Sequence, residues 1–171
     1  MRVAPSAEGE AKRIVERLVA LAQPLDVATL AENDARLAAR AGADGVHVAG
    51  AGEALAEALA SLHPERIVGS GGLRLRDDAM VAGEAGADYV MFGEPRPDGF
   101  APPLAETVER VAWWAEIFET PCVAFADALD AVAPLRDAGA DFIALGDAVW
   151  GAPDAAKAAA KARAALAHAT G

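Results

Sequence analysis

A four-residue string, Ala-Gly-Ala-Asp, occurs at positions 41–44, 85–88 and 138–141, and no other feature limits the possible folds of this chain as sharply. Each copy stands between a stretch of helical spacing and an apolar run. Those runs are Gly45-Val46-His47-Val48, Tyr89-Val90-Met91-Phe92 and Phe142-Ile143-Ala144-Leu145. Glycine one residue past the last helical turn takes the left-handed conformation and stops the helix. The short connection after it then feeds a strand that is apolar on both faces, as in sheets covered by helices on their surfaces.

Further apolar runs fall at 27–30, 66–69 and 122–125. Helical spacing separates them, at about 53–62, 75–85, 103–118, 128–138 and 154–169, the last opened by Pro153 and Asp154. Before the first run, Ile14, Val15, Leu18, Leu21 and Ala22 are expected to share one buried helix face. A helix followed by six strand–helix pairs predicts an α/β fold with a parallel sheet. An open doubly wound sheet and a closed β/α barrel both satisfy that order. No Gly-x-Gly-x-x-Gly follows the first strand, and the Gly-rich turn Gly69-Ser70-Gly71-Gly72 lacks the Lys-Ser/Thr of a P-loop. The length of 171 residues suits one domain over 1–171, although a complete eight-unit barrel usually needs roughly 200 residues or more.

A formal net charge of −11 disfavours binding to nucleic acid or to an anionic membrane surface. No apolar run reaches the roughly 20 residues of a bilayer span, and the first residues hold no apolar signal segment. The single Cys122 has no partner within the chain for a disulfide. A cytoplasmic protein is the expectation. Three scattered histidines and one cysteine offer no zinc spacing.

Candidate functional residues cluster after the strands, where β/α barrels carry their chemistry. Glu32, Asn33 and Asp34 follow the first run, and the alternatives for them are a functional role or loop and helix capping. Glu94 and Arg96 follow Phe92-Gly93, and Asp127 and Asp147 extend a set of strand-end carboxylates. Such a set can hold a metal or cationic ligand, or can form a solvated rim. Arg74 and Arg76 follow the Gly-rich turn at a helix start, which suits an anion. His47 is either a packed, hydrogen-bonded core residue or a pocket residue, and His63 and His168 read as surface groups. Of the adjacent Trp113 and Trp114, one should pack inward and the other should be partly exposed. Trp150 stands just past the last strand.

The segment 41–48, Ala-Gly-Ala-Asp-Gly-Val-His-Val, resembles the Ala-Asp-Gly-Val-His-Leu signature of thiamine phosphate synthases. The likeness continues through Arg66-Ile-Val-Gly69, Gly86-Ala-Asp-Tyr-Val-Met-Phe-Gly-Glu-Pro95, Pro121-Cys-Val-Ala124 and the third repeat, covering about residues 14–169. The resemblance implies a TIM-type β/α barrel, incomplete, with about six to seven parallel strands. In that register residues 1–4 are a remnant of strand two, and the first strand–helix unit is lacking. It also implies the coupling of hydroxymethylpyrimidine pyrophosphate to thiazole phosphate, in which magnesium-bound carboxylates hold the departing pyrophosphate.

With the resemblance set beside the strand-end reading, Glu32, Asn33, Asp34 and His47 are the catalytic candidates, and Asp34, one residue from the family's metal position and able to take it only if the loop shifts, is the metal-ligand candidate. Arg2, Ser70, Gly71, Arg74, Glu94, Arg96, Asp127, Gly146 and Asp147 become the candidates for substrate and phosphate binding. The chain departs from the family pattern at several of these positions. Asn33 stands where the family has a metal-binding carboxylate, and residues 49–52 lack the second carboxylate. Ser70 is displaced by one, residues 96–99 replace a Thr- and Lys-containing loop, and Asp127 replaces a phosphate-cradling glycine. The expectation is therefore a thiamine phosphate synthase-like scaffold with eroded motifs, using Mg2+ if active. Its alternatives are a non-catalytic binding or assembly protein and a thiazole tautomerase-like relative. The expected partners are a phosphorylated small heterocycle and further copies of the chain in a homo-oligomer.

Overall fold

A computed structural model describes residues 2–3, 8–96 and 99–167. The chain divides into two compact units, Met1–Tyr89 and Val90–Gly171. The first unit contains β1 (Arg2–Val3), α1 (Glu8–Ala22), β2 (Leu30–Glu32), α2 (Ala35–Ala41), β3 (Gly45–Ala49), α3 (Glu53–Leu62), β4 (Ile67–Gly71) and α4 (Arg76–Glu84). Strands β1 to β4 pair in sequence order, and every pair is parallel. The second unit holds most of β5 (Tyr89–Phe92), then α5 (Leu104–Ile117), β6 (Cys122–Ala126), α6 (Val132–Asp137), β7 (Phe142–Leu145), α7 (Asp147–Trp150) and α8 (Ala155–Ala167). Here β5 pairs with β6 and β6 with β7, again in parallel. This is the strand–helix alternation of TIM-type folds, as the repeat predicts. No helix among the described residues is long and apolar enough to cross a membrane.

The repeated tetrapeptide has a specific mechanical role. In all three copies the glycine is left-handed, with φ of 72° at Gly42, 94° at Gly86 and 99° at Gly139. The aspartate after it then grips one residue of the preceding strand segment at two points. The Asp44 amide donates to the Thr29 carbonyl at 2.8 Å, while Asp44 Oδ2 accepts from the Thr29 amide at 2.7 Å. Asp88 holds Val68 in the same way at 2.9 and 2.7 Å, and Asp141 holds Cys122 at 3.1 and 2.8 Å. Thr29 adds a third bond, its hydroxyl donating to Asp44 Oδ2 at 3.0 Å. Each clamp fixes where a new strand starts relative to its neighbour, so the helix stop and the strand register come from the same four residues. Because register decides which face every side chain takes, a shift there would turn apolar groups outward.

Strands β3 and β4 are buried on both faces, with Val46, Val48 and Val68 fully or nearly fully covered. Tight approach explains two of their glycines: a Cβ on Gly45 would overlap the Ile67 backbone, and one on Gly69 would overlap the Tyr89 ring. In the second unit Trp114 is 1 % exposed, donates from Nε1 to the Thr120 carbonyl at 2.7 Å, and stacks on Phe118 at 4.0 Å between ring centroids. Trp113 meets both rings edge-on and is only half-buried, as expected for adjacent helical positions. Cys122 is fully buried, and desolvation pushes its thiol up from an ordinary value of 9.0 to about 11.

Two expectations need correction. Strand β2 begins at Leu30 rather than at Val27. A 3-10 turn over Gln23–Leu25 follows α1 directly, and Asp26 closes it in the left-handed conformation (φ 56°), which delays the extended backbone. The buried stripe of α1 is Ala11, Val15, Val19 and Ala22, whereas Ile14 and Leu21 lie outside it at 38 % and 67 % exposure. Spacing alone admitted both stripes, and packing against the unit selected the one with smaller side chains.

Candidate functional site

In the first unit the ends of β2, β3 and β4 are sewn together by hydrogen bonds. Asn33 is left-handed at φ 54°, a conformation that asparagine tolerates better than most residues. Its amide donates to the His47 carbonyl at 2.8 Å, and its Oδ1 accepts from the Ala49 amide at 2.7 Å. One strand over, the Gly50 amide donates to the Gly71 carbonyl at 2.7 Å and Ser70 Oγ donates to the Gly50 carbonyl at 3.0 Å. Thus Asn33, Ser70 and Gly71 do lie on one rim. Their polar groups are engaged with the backbone of that rim.

Asp34 is the N-cap of α2, its Oδ1 accepting from the Leu37 amide at 2.7 Å. Glu32, half-buried, pairs in register with His47. His47 is 1 % exposed, and its Nδ1 shares a 2.8 Å hydrogen bond with the Tyr89 hydroxyl. The two rings stack with centroids 5.7 Å apart, and Gly69 leaves the space that Tyr89 fills. Of the two readings the sequence leaves for His47, the packed, hydrogen-bonded residue describes this geometry. Arg74 and Arg76 are exposed at the start of α4. At this helix start, which the sequence offers as an anion site, the amides of Arg74 and Leu75 both donate to Asp78 Oδ2, at 3.0 and 2.9 Å. An arriving phosphate would have to displace that carboxylate.

The carboxylate pair that the resemblance implies for a magnesium ion is not reproduced at its positions on this rim, where Asn33 and residues 49–52 stand. Such an ion takes carboxylate oxygens in an octahedral shell. The rim offers the amide oxygen of Asn33, already accepting from Ala49, the carboxylate of Asp34, whose Oδ1 caps α2, and the carboxylate of the half-buried Glu32 at the end of β2. The loop over 49–52 holds no carboxylate. Among the described residues no three His, Cys, Asp or Glu side chains gather into a group able to hold a metal.

The second unit carries its own strand ends. Gly93 is left-handed at φ 86°, and a Cβ there would press on the Thr107 side chain. Glu94 follows it and is buried, at 7 % exposure. The Arg96 guanidinium lies over the Phe100 ring at 4.1 Å, in a turn closed by the Arg96 amide donating to the Phe100 carbonyl at 2.9 Å. An arginine stacked in this way is held in one orientation, and a guanidinium is a side chain suited to phosphate recognition in general. Asp127, after β6, and Asp147, at the start of α7, are exposed. Gly146 sits where a Cβ would crowd the Phe125 ring. Arg2 lies in β1, but its side chain falls outside the described residues, as do Pro97, Asp98 and His168.

Two participants escape the sequence reading. Tyr89 reads there as one more apolar strand residue, and only the pairing of His47 with Gly69, together with the space that Gly69 leaves, puts its ring on His47. Asp78 has a legible signal, an acidic residue three positions after the residue preceding a helix, but it competes with the reading of the same helix start as an anion site.

The comparisons with known proteins bear on the fold and the family. The thiamine monophosphate synthase family matches residues 1–149. The thiamine-phosphate synthase of Rhodospirillum centenum is 43 % identical over 143 residues, covering 82 % of this chain and 69 % of that protein. The enzyme of the same name from Erythrobacter litoralis is 40 % identical over 149 residues, covering 82 % and 68 %. Among solved structures, the thiamine phosphate pyrophosphorylase of Pyrococcus furiosus superposes with a TM-score of 0.84 at 25 % identity, over 100 % of this chain and 83 % of that one. A 3-hexulose-6-phosphate synthase superposes with a TM-score of 0.75 at 22 % identity, over 96 % and 86 %, which speaks for the fold alone. Repeat, strand order and relatives converge, and the chain belongs to the thiamine monophosphate synthase family.

Proposed function

We propose that this chain binds a phosphorylated heterocycle of the kind its family handles, without joining it to a pyrimidine pyrophosphate. The observation that carries the proposal is the engagement of Asn33. It stands where the resemblance puts a metal-binding carboxylate, and its Oδ1 accepts the Ala49 amide at 2.7 Å. Its neighbour Asp34 caps a helix. Departure of pyrophosphate requires a concentrated positive charge at the leaving group, and among the described residues no three His, Cys, Asp or Glu side chains gather to hold a cation. Arg96, whose guanidinium lies over the Phe100 ring, is the side chain we assign to the monophosphate.

A second reading, that the coupling reaction itself survives, is favoured by the 43 % identity to a thiamine-phosphate synthase. One experiment separates the two. The protein is incubated with hydroxymethylpyrimidine pyrophosphate, thiazole phosphate and Mg2+, and thiamine phosphate is followed by chromatography. The expected result is no product above the protein-free control, together with a rise in melting temperature on adding thiazole phosphate alone. That rise should shrink in Arg96→Ala. Product that scales with protein concentration establishes the second reading, and no thermal response to thiazole phosphate removes the binding proposal.

A further inference from the structure

Helix α1 carries two apolar stripes, and the unit uses only one. Ala11, Val15, Val19 and Ala22 face the core at 8 % exposure or less. Beside them Ile14, Leu18, Leu21 and Leu25 form a second row, running off the helix into the 3-10 turn that continues it. Leu18 is half-buried, but Ile14 is 38 %, Leu21 67 % and Leu25 73 % exposed. Val27, just beyond, is 46 % exposed. The row thus holds larger side chains than the core stripe and leaves them in water.

Intervals of four, three and four residues are the spacing of a seam between two packed helices. We propose that this row is a self-association surface, on which α1 of one chain packs against α1 of a second copy in antiparallel fashion. Three observations favour a second copy as the occupant. The row matches itself under a two-fold axis passing between Val19 and Ala20. Ile14 then faces Leu25 of the other chain, and Leu18 faces Leu21, so each layer pairs an apolar residue with another. This is an isologous contact, in which one patch serves both partners. The row contains no charged residue, so two acidic chains can meet there without opposing carboxylates inside the seam. Finally, Ile14, Leu21, Leu25 and Val27 leave 38–73 % of their surface exposed, and the two-fold would cover that apolar surface on both copies at once.

The test is sedimentation velocity from low micromolar to about 200 μM, on the parent and on Leu21→Glu and Leu25→Glu variants whose far-UV circular dichroism matches the parent. The expected result is a concentration-dependent dimer for the parent and at least a tenfold weaker dimer for each variant. Leu21 and Leu25 are mostly exposed in the single chain, so the substitutions leave its folding intact. Orientation is read by mixing Leu18→Cys with Leu21→Cys under mild oxidation. The antiparallel seam gives a crosslinked heterodimer in the mixture, in excess of the homodimers that either variant forms alone. A parent that stays monomeric throughout, or variants that dimerise as tightly as the parent, overturns the proposal. Equal crosslinking of each variant with itself overturns the antiparallel arrangement. None of these readouts depends on ligand binding, so the outcome stands apart from that of the function assay.

Discussion

Replacing Asp44 by alanine tests the role assigned to the repeated aspartate at its most heavily used copy. The substitution removes the acceptor for the Thr29 amide at 2.7 Å and for the Thr29 hydroxyl at 3.0 Å. Thr29 is 1 % exposed, so water cannot replace the lost partner without local opening. A buried amide left unsatisfied costs about 1–3 kcal/mol and a lost hydroxyl bond about 0.5–1.5 kcal/mol. Asp44→Ala should therefore lose about 2–4 kcal/mol. In a chain of this size each kcal/mol moves the melting temperature by about 2–4 °C, so the drop should be roughly 4–16 °C. Thr29→Val removes only the hydroxyl and should cost about 1 kcal/mol, while Asp44→Asn keeps one acceptor oxygen and should fall between. Urea denaturation followed by far-UV circular dichroism is the suitable assay, because all three tryptophans lie in the second unit and would report that unit first. A loss under about 0.5 kcal/mol for Asp44→Ala, or a larger loss for Thr29→Val than for Asp44→Ala, would refute the clamp as an energetic device.

Two further outcomes follow from buried groups. Gly69→Ala should destabilise by about 1–3 kcal/mol through overlap with the Tyr89 ring, and the same substitution in a Tyr89→Ala background should cost measurably less. Because the Cys122 thiol is pushed up to about 11 in the folded chain, the unfolded chain loses that proton first. Stability from this group is complete below pH 9 and declines between pH 9 and 11. Urea midpoints across that window should fall less steeply in Cys122→Ala than in the parent.

Much of the fold was legible because its information is local. A glycine that stops a helix, an aspartate beside it and an apolar run after it lie within eight residues, and their physics needs no distant partner. The α1 face was not legible, since two stripes of similar apolarity differ only in which fits the unit. The start of β2 was missed for a related reason: the run 27–30 is apolar, but Pro24 and the left-handed Asp26 hold the preceding backbone in a tight turn. At the candidate site, residue identity showed which family positions had changed. It could not show that Asn33 reaches across to the Ala49 amide, or that Asp78 occupies the helix start beside Arg74. Those depend on register between strands and on rotamers, which no spacing encodes.

The three clamps also bear on how the chain finds its structure. Each closes a loop of only 15, 20 or 19 residues. Short loops cost little closure entropy, and proteins rich in local contacts fold faster than those built on distant pairings. A parallel sheet ordinarily needs a crossover before its strands can meet, which slows assembly. Here three crossovers, β2 to β3, β4 to β5 and β6 to β7, carry their own fastener, so in each of them the helix can deliver the next strand in register before the remainder has condensed. Loss of one clamp should then slow folding of its own unit while the other unit forms at its normal rate.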